Sequence, residues 1–190
     1  MALIATQRKQ LAAIRKLIKS SRWADVKQGL ALIESIRDPD LLALLSEGVS
    51  VSADGVLSLG EGELKSRVKV SRQENATLHM AKQAGLLSER TLLNLKVNRT
   101  LSDLQPLQGL SNLTHLDLSY CRVLRDLSGL EGLSNLTTLH LRDCPRLSSL
   151  SGLTGLSQLR TLHVFFGCEA LSDPEVQSLQ AALPHCTIER

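Results

Sequence analysis

Three groups at a fixed interval offer the most chemistry in this chain. Asp117, His140 and His163 follow one another at steps of 23 residues. A carboxylate beside an imidazole can set its tautomer for general-base work, and two imidazoles with a carboxylate can begin a metal site. Both uses need more than these three. Acid–base catalysis needs a nucleophile or a pocket, and none accompanies these positions. A metal site needs further ligands on the same side, and only Asp117 qualifies. No phosphate loop, C-x-x-C, H-E-x-x-H or G-x-S-x-G occurs anywhere. The expectation is a protein that is not an enzyme and takes no cofactor. Asp117, His140 and His163 then read as a polar row shared by neighbouring elements.

The elements that must position that row repeat. Leu107-Gln-Gly-Leu-Ser-Asn-Leu113-Thr-His-Leu116-Asp-Leu118-Ser-Tyr-Cys121 returns at Leu130–Cys144, and again, truncated, at Leu153–Val164. Leu116, Leu139 and Leu162 keep the same step of 23. From Leu101 to Leu116 the leucines fall every third residue. A step of three lags an α-helix by about 60° each time, so one helix face cannot hold them. Turns of a tighter coil can, because there every third side chain points the same way. Each copy then steps once by two, at Leu116-x-Leu118, Leu139-x-Leu141 and Leu162-x-Val164, which is the strand period. One short strand and a return without a long α-helix is therefore one repeat, and the strands stack in parallel.

This skeleton, L-x-x-L-x-L-x-x-N/C at a period in the twenties, resembles the leucine-rich repeat family over roughly the second half of the chain. The resemblance implies an α/β fold: a right-handed solenoid with a short parallel sheet and a convex side of 3₁₀ and turn structure. It also implies a binding scaffold, and that Asn98, Cys121, Cys144 and Cys168 form an inward row bonding backbone groups that the bend leaves unpaired. Cys168 comes one residue late, because Phe165-Phe166-Gly167 carries an insertion. A disulfide framework does not fit a chain with no secretion signal, and the expected compartment is the cytoplasm. Trp23-Ala-Asp-Val-Lys-Gln-Gly-Leu resembles, less specifically, helical segments ahead of the repeats in some bacterial leucine-rich repeat proteins.

The remaining chain reads as a helical N-terminal region, 1–62, ahead of a solenoid unit, 63–190. Residues 1–24 carry Arg8, Lys9, Arg15, Lys16, Lys19 and Arg22 without an acid, and Leu11, Ile14, Leu17 and Ile18 keep helical spacing. That basic helix is a solvated face over a packed stripe, a surface for an acidic partner, an anionic membrane or nucleic acid, or a removable organellar presequence. Ser21 starts a second helix with Trp23, Val26, Leu30 and Ile33 inward. Asp38-Pro39 caps a third that Gly48 ends. Val49–Val51 and Val56–Leu59 flank Asp54-Gly55 as a hairpin. Gly60–Gly62 is a boundary, and Arg67–Val70 a further strand. Ser71-Arg-Gln-Glu74 opens a capping helix, 71–84, with Leu78 and Ala81 inward and Gly85 as its stop. Ser172-Asp-Pro-Glu175 opens the opposite cap, 172–190, with Val176, Leu179 and Leu183 inward and an edge strand after Pro184. The open ends of a repeat stack require such lids.

Aromatics make up 2% of the chain, so its core is aliphatic, and a net charge of +3 does not by itself imply nucleic acid. Both phenylalanines and the one tyrosine nevertheless fall beside the strands. Side chains flanking the strand leucines face the concave surface. The expected contact set is Asn94, Lys96, Asp117, Ser119, Tyr120, His140, Arg142, His163, Phe165 and Phe166. Aromatics and arginine are the usual anchors of an interface. The function expected is monomeric protein–protein interaction on the concave face, with recruitment to nucleic acid or an anionic membrane by the basic helix as the alternative.

Overall fold

The structure is a computed structural model of the 190-residue chain, and it describes residues 5–18, 23–45, 49–51, 57–59, 78–79, 81–98 and 101–190. Three helices come first: α1 (Ala5–Ile18), α2 (Trp23–Ser35) and α3 (Pro39–Leu45). The helix α1 packs along α2 and touches α3. Its stripe is spent there: Leu11 and Ile14 are buried, as are Ile33 and Ile36 at the far end of α2. Asp38 caps α3 as its spacing predicts, since Asp38 Oδ1 accepts from the backbone N–H groups of Asp40 and Leu41. Gln7 of α1 donates its amide to the other carboxylate oxygen, which ties α1 to that cap.

Next come β1 (Val49–Val51) and β2 (Leu57–Leu59), an antiparallel pair with Val49 opposite Leu59. The predicted hairpin is present. Its Asp54-Gly55 turn lies outside the described residues. So do Ser21, Gly48, the 60–62 boundary, the 67–70 strand and the Ser71–Glu74 capping box, together with the side chains of Trp23, Val26 and Leu30. Helical residues 81–83 precede Gly85, which takes a φ of +72°. Leu78 and Ala81 are buried as expected.

Five parallel strands then form one sheet in chain order: β3 (Leu92–Asn94), β4 (His115–Asp117), β5 (Thr138–His140), β6 (Thr161–His163) and β7 (Thr187–Glu189). The central residues stand in register, Leu93, Leu116, Leu139, Leu162 and Ile188, and the four leucines are buried. The return paths explain the every-third-residue spacing directly. Leu107 N–H donates to Leu104 O, Leu110 to Leu107 and Leu113 to Leu110. The same chain of bonds recurs from Leu127 to Leu136 and from Leu150 to Leu159. An i to i−3 bond is the 3₁₀ pattern, and it brings each leucine back to the inside. Two stretches are regular enough to be 3₁₀ helices, Gln105–Leu107 and Ser151–Leu153. The return is close-packed: a Cβ built on Gly129, whose φ is +102°, would sit 2.5 Å from the carbonyl carbon of Leu104.

Both ends of the stack have lids. Beyond β6, α4 (Asp173–Ala182) starts on Ser172, whose hydroxyl accepts from Glu175 N–H. Leu179 and Leu183 are buried beneath it, and β7 closes the sheet as the predicted last strand. At the other end His79 is buried, and its Nε2 lies 3.0 Å from Asp103 Oδ2. Lys82 Nζ reaches the carbonyl of Gln108 at 3.0 Å. The sequence reading placed every histidine on a strand or alone at the surface. For His79 that is corrected: it joins the capping turn to the first repeat.

Candidate functional site: the concave face and its rim

The third position of each strand forms one row across the sheet: Asn94, Asp117, His140, His163 and Glu189 are successive register partners. The three groups singled out by their spacing do stand side by side. Asp117 is partly committed already, since its Oδ1 accepts from Ser119 N–H at 2.9 Å, and Asn94 does the same for Lys96 N–H at 3.2 Å. The two imidazoles stack, with centroids 4.3 Å apart and planes within 9°. His163 Nδ1 lies 2.7 Å from Glu189 Oε2, a partner not foreseen from the sequence. Burial pushes the His140 pKa down from the usual imidazole value, and His163 pushes it further the same way.

The ring stack continues outward. Phe165 stacks on His163 at 5.9 Å, Phe166 lies 6.4 Å from Phe165, and the Arg142 guanidinium sits 5.7 Å from the Phe165 centroid. Lys96 and Arg142 are exposed at the position where Ser119 is buried. Ser119 is thus separated from the surface that the other residues share.

Just beyond, the backbone turns through the left-handed region once per repeat. Val97, Tyr120, Asp143 and Phe166 have φ of 66°, 64°, 52° and 40°. The turn is closed by bonds to the next repeat: Val97 N–H to Ser119 O at 2.8 Å and Tyr120 N–H to Arg142 O at 2.6 Å. Asp143 N–H should by this pattern reach Phe165 O, but that contact stretches to 3.4 Å, and Phe166 O takes over at 2.8 Å. The inserted residue is absorbed at that point. Only glycine fits next: a Cβ on Gly167, at a φ of +72°, would lie 2.8 Å from Asp143 Cα. Phe165 is accordingly half-buried rather than turned into the core, and Phe166 is 84% exposed. Val97, at 51% exposed, is a rim residue that the sequence reading missed, although its step of 23 from Tyr120 was available.

The opposite side of the same bends holds the sulfur row. Cys121 Sγ donates to Leu95 O at 3.5 Å, Cys144 to Leu118 O at 3.3 Å and Cys168 to Leu141 O at 3.0 Å. Asn98 Nδ2 bonds Leu95 O at 2.6 Å and begins the row as expected. The four cysteines are reduced thiols and buried. Hydrogen bonding to Cys168, with burial added, holds the Cys144 pKa far above the ordinary thiol range. Among the described residues no group of three or more His, Cys, Asp or Glu could hold a metal ion, and no helix is long and apolar enough to cross a membrane.

Known proteins bear on the same segment. A structural likeness to internalin C2 of Listeria monocytogenes str. 4b F2365 covers 94% of this chain and 80% of that one, at 19% identity and a TM-score of 0.21, too loose to carry an argument. No curated protein matches the sequence. A family model described as Zer-1-like, leucine-rich repeats matches residues 104–170. That match falls on the segment whose registered strands and 3₁₀ returns are described above, and it identifies residues 104–170 as leucine-rich repeats.

Proposed function

We propose that the chain is a non-enzymatic protein-interaction module that meets its partner on the concave face and rim, through His140, Arg142, His163, Phe165 and Phe166, with Tyr120, Asp117, Asn94 and Lys96 around them. The observation carrying this reading is Phe166, an aromatic ring 84% exposed on a left-handed backbone position. The left-handed turn recurs at Val97, Tyr120 and Asp143, so the exposure of a large aromatic ring is what distinguishes Phe166 among the rim residues. A leucine-rich repeat array is in keeping with it, as is the ring stack behind Phe166. Ser119, being buried, leaves the expected contact set. Buried thiols without disulfides fit a reducing compartment such as the cytoplasm. Recruitment by the basic α1 draws less support, because Leu11 and Ile14 are already covered.

The test is capture from native lysate by wild type and by the double variant R142A/F165A, with circular dichroism to verify folding. Loss of one discrete partner in the folded variant supports the surface. Undiminished capture rules it out.

A further inference from the structure

The inner row of the bends holds two thiols that the concave surface does not use. Cys144 and Cys168 stand on neighbouring rungs, and their sulfurs hang from carbonyls of neighbouring strands, Leu118 O at 3.3 Å and Leu141 O at 3.0 Å. Leu118 and Leu141 follow Asp117 and His140, which are register partners, so the two carbonyls are one rung apart. Adjacent rungs lie about 4.8 Å apart, inside the Cα separation of about 4.4–6.8 Å that a disulfide spans. The two thiols also bond each other, whereas the bond that Cys121 gives Cys144 comes from its backbone N–H. The insertion before Cys168 sets this pair apart: the step from Cys144 is 24 residues, where the step from Cys121 to Cys144 is 23.

The pair is unequal. Cys168 is 8% exposed, the most open of the four cysteines, and Cys144 is covered completely. The Cys144 thiol donates to Cys168, and the Cys144 backbone N–H does the same. These two donors hold the Cys168 pKa down at about 7, against burial and the carboxylates of Glu169 and Asp143. Asp143 in turn faces the Arg122 guanidinium at 3.8 Å. Near neutral pH a large fraction of Cys168 is therefore thiolate, the form that acts as nucleophile. Cys144 keeps its proton chiefly because that proton serves the shared bond, and the restraint lapses once Cys168 loses its charge.

We propose that Cys168 and Cys144 are a peroxide-responsive pair, in which Cys168 is oxidised first and Cys144 closes an intrachain disulfide. A reactive thiol beside a second cysteine is the arrangement that peroxide oxidation selects. In the first step the Cys168 thiolate attacks one oxygen of hydrogen peroxide, the O–O bond breaks, hydroxide leaves and the sulfur becomes a sulfenic acid. In the second the Cys144 sulfur attacks Cys168, the S–S bond forms, the S–O bond breaks, and the Cys144 proton leaves with the hydroxyl as water. Together the two sulfurs give up two electrons to one peroxide. Neither can then donate to Leu118 O or Leu141 O, so two carbonyls lose these bonds beneath the bend that carries Phe166. The pair lies on the inner side of the bend and does not rest on the function proposed above.

The experiment treats the full folded chain with hydrogen peroxide at pH 7.5, blocks the remaining thiols with N-ethylmaleimide in urea, and digests with trypsin without reductant. The expected product links residues 143–146 to residues 161–190, the peptides that hold Cys144 and Cys168. The second peptide also holds Cys186, and the same linkage in Cys186→Ser assigns it to Cys168. In Cys144→Ser the reaction should stop at a Cys168 sulfenic acid that dimedone traps, and in Cys168→Ser the loss of free Cys144 should slow by about tenfold or more. Where a serine variant does not fold, the wild type keeps the test: iodoacetamide should alkylate Cys168 about tenfold faster or more than Cys121 and Cys144, at a rate that rises through about pH 7. The proposal is overturned if Cys168 reacts no faster than Cys121, if the disulfide forms only when peroxide is added in urea, or if the only linkages are between two chains.

Discussion

Replacing Phe166 separates what the rim costs from what it does. Its φ of 40° lies in the region that only glycine enters freely, and the ring is 84% exposed. Holding a side chain there costs about 1–2 kcal/mol. Glycine removes that cost but gives up about 0.5–1 kcal/mol to the greater freedom of the unfolded chain. Phe166→Gly and Phe166→Ala lose the same ring and its contact with Phe165, so their difference isolates the backbone. The glycine variant should be the more stable by about 0.5–1 kcal/mol, a Tm difference of about 1–4 °C for a chain of this length. Asp143 N–H donates to the backbone oxygen of residue 166, so either variant keeps the bond that closes the turn. Both should lose capture of the partner by about tenfold or more, which is about 1.4 kcal/mol. Differential scanning calorimetry and quantitative pull-down on the three proteins check this. An alanine variant as stable as the glycine one would refute the strain argument, and intact capture by both would refute the functional one.

Other consequences can be measured directly. Gly129→Ala adds a Cβ against the Leu104 carbonyl at an unfavourable φ, and should lower stability by about 2–4 kcal/mol in urea titration. Cys144 should resist iodoacetamide at pH 7.5 in the folded protein and react once urea unfolds it, because it is buried and held protonated. Mass spectrometry of alkylated chains reads the difference. His140 should titrate below the usual value of about 6.5 in an NMR pH series. The unfolded chain then takes up that proton at higher pH than the folded one. The His140 contribution to stability therefore falls as pH drops through about 6.5 and levels off below the folded pKa. A His140 pKa at or above 6.5 would contradict the burial and the stacked neighbour together.

The interior was legible because it is redundant. A leucine every third residue admits one local geometry, and three copies of the same step fix the register of Leu116, Leu139 and Leu162. The caps announced themselves through local chemistry: Asp38-Pro39 and Ser172-Asp-Pro. What escaped is set by long-range approach or by backbone angle. Nothing in the letters around His79 says that it meets Asp103, 24 residues on. Ser119 shares its strand-end position with Lys96 and Arg142, and only packing decides that it turns inward. Glu189 becomes the partner of His163 because the C-terminal strand joins the sheet in register, a pairing that a step of 23 does not reach.

The rim row shows why a repeat protein can vary one face without disturbing the other. At Val97, Tyr120 and Asp143 the left-handed turn is closed by a backbone N–H reaching a carbonyl of the next repeat, and that bond is indifferent to the side chain it carries. That bond therefore sets φ at Val97, Tyr120 and Asp143 and leaves the residue type open, at a cost of about 1–2 kcal/mol each relative to a relaxed position. Inside the same bend there is no such latitude, because a side chain that fails to bond the strand carbonyl strands a buried polar group. Asparagine begins that inner row and thiols continue it, each donating to a leucine carbonyl. Four unlike residues outside and a row of bonds to leucine carbonyls inside are therefore one arrangement: the inner row carries the fold, and the outer row is free to vary.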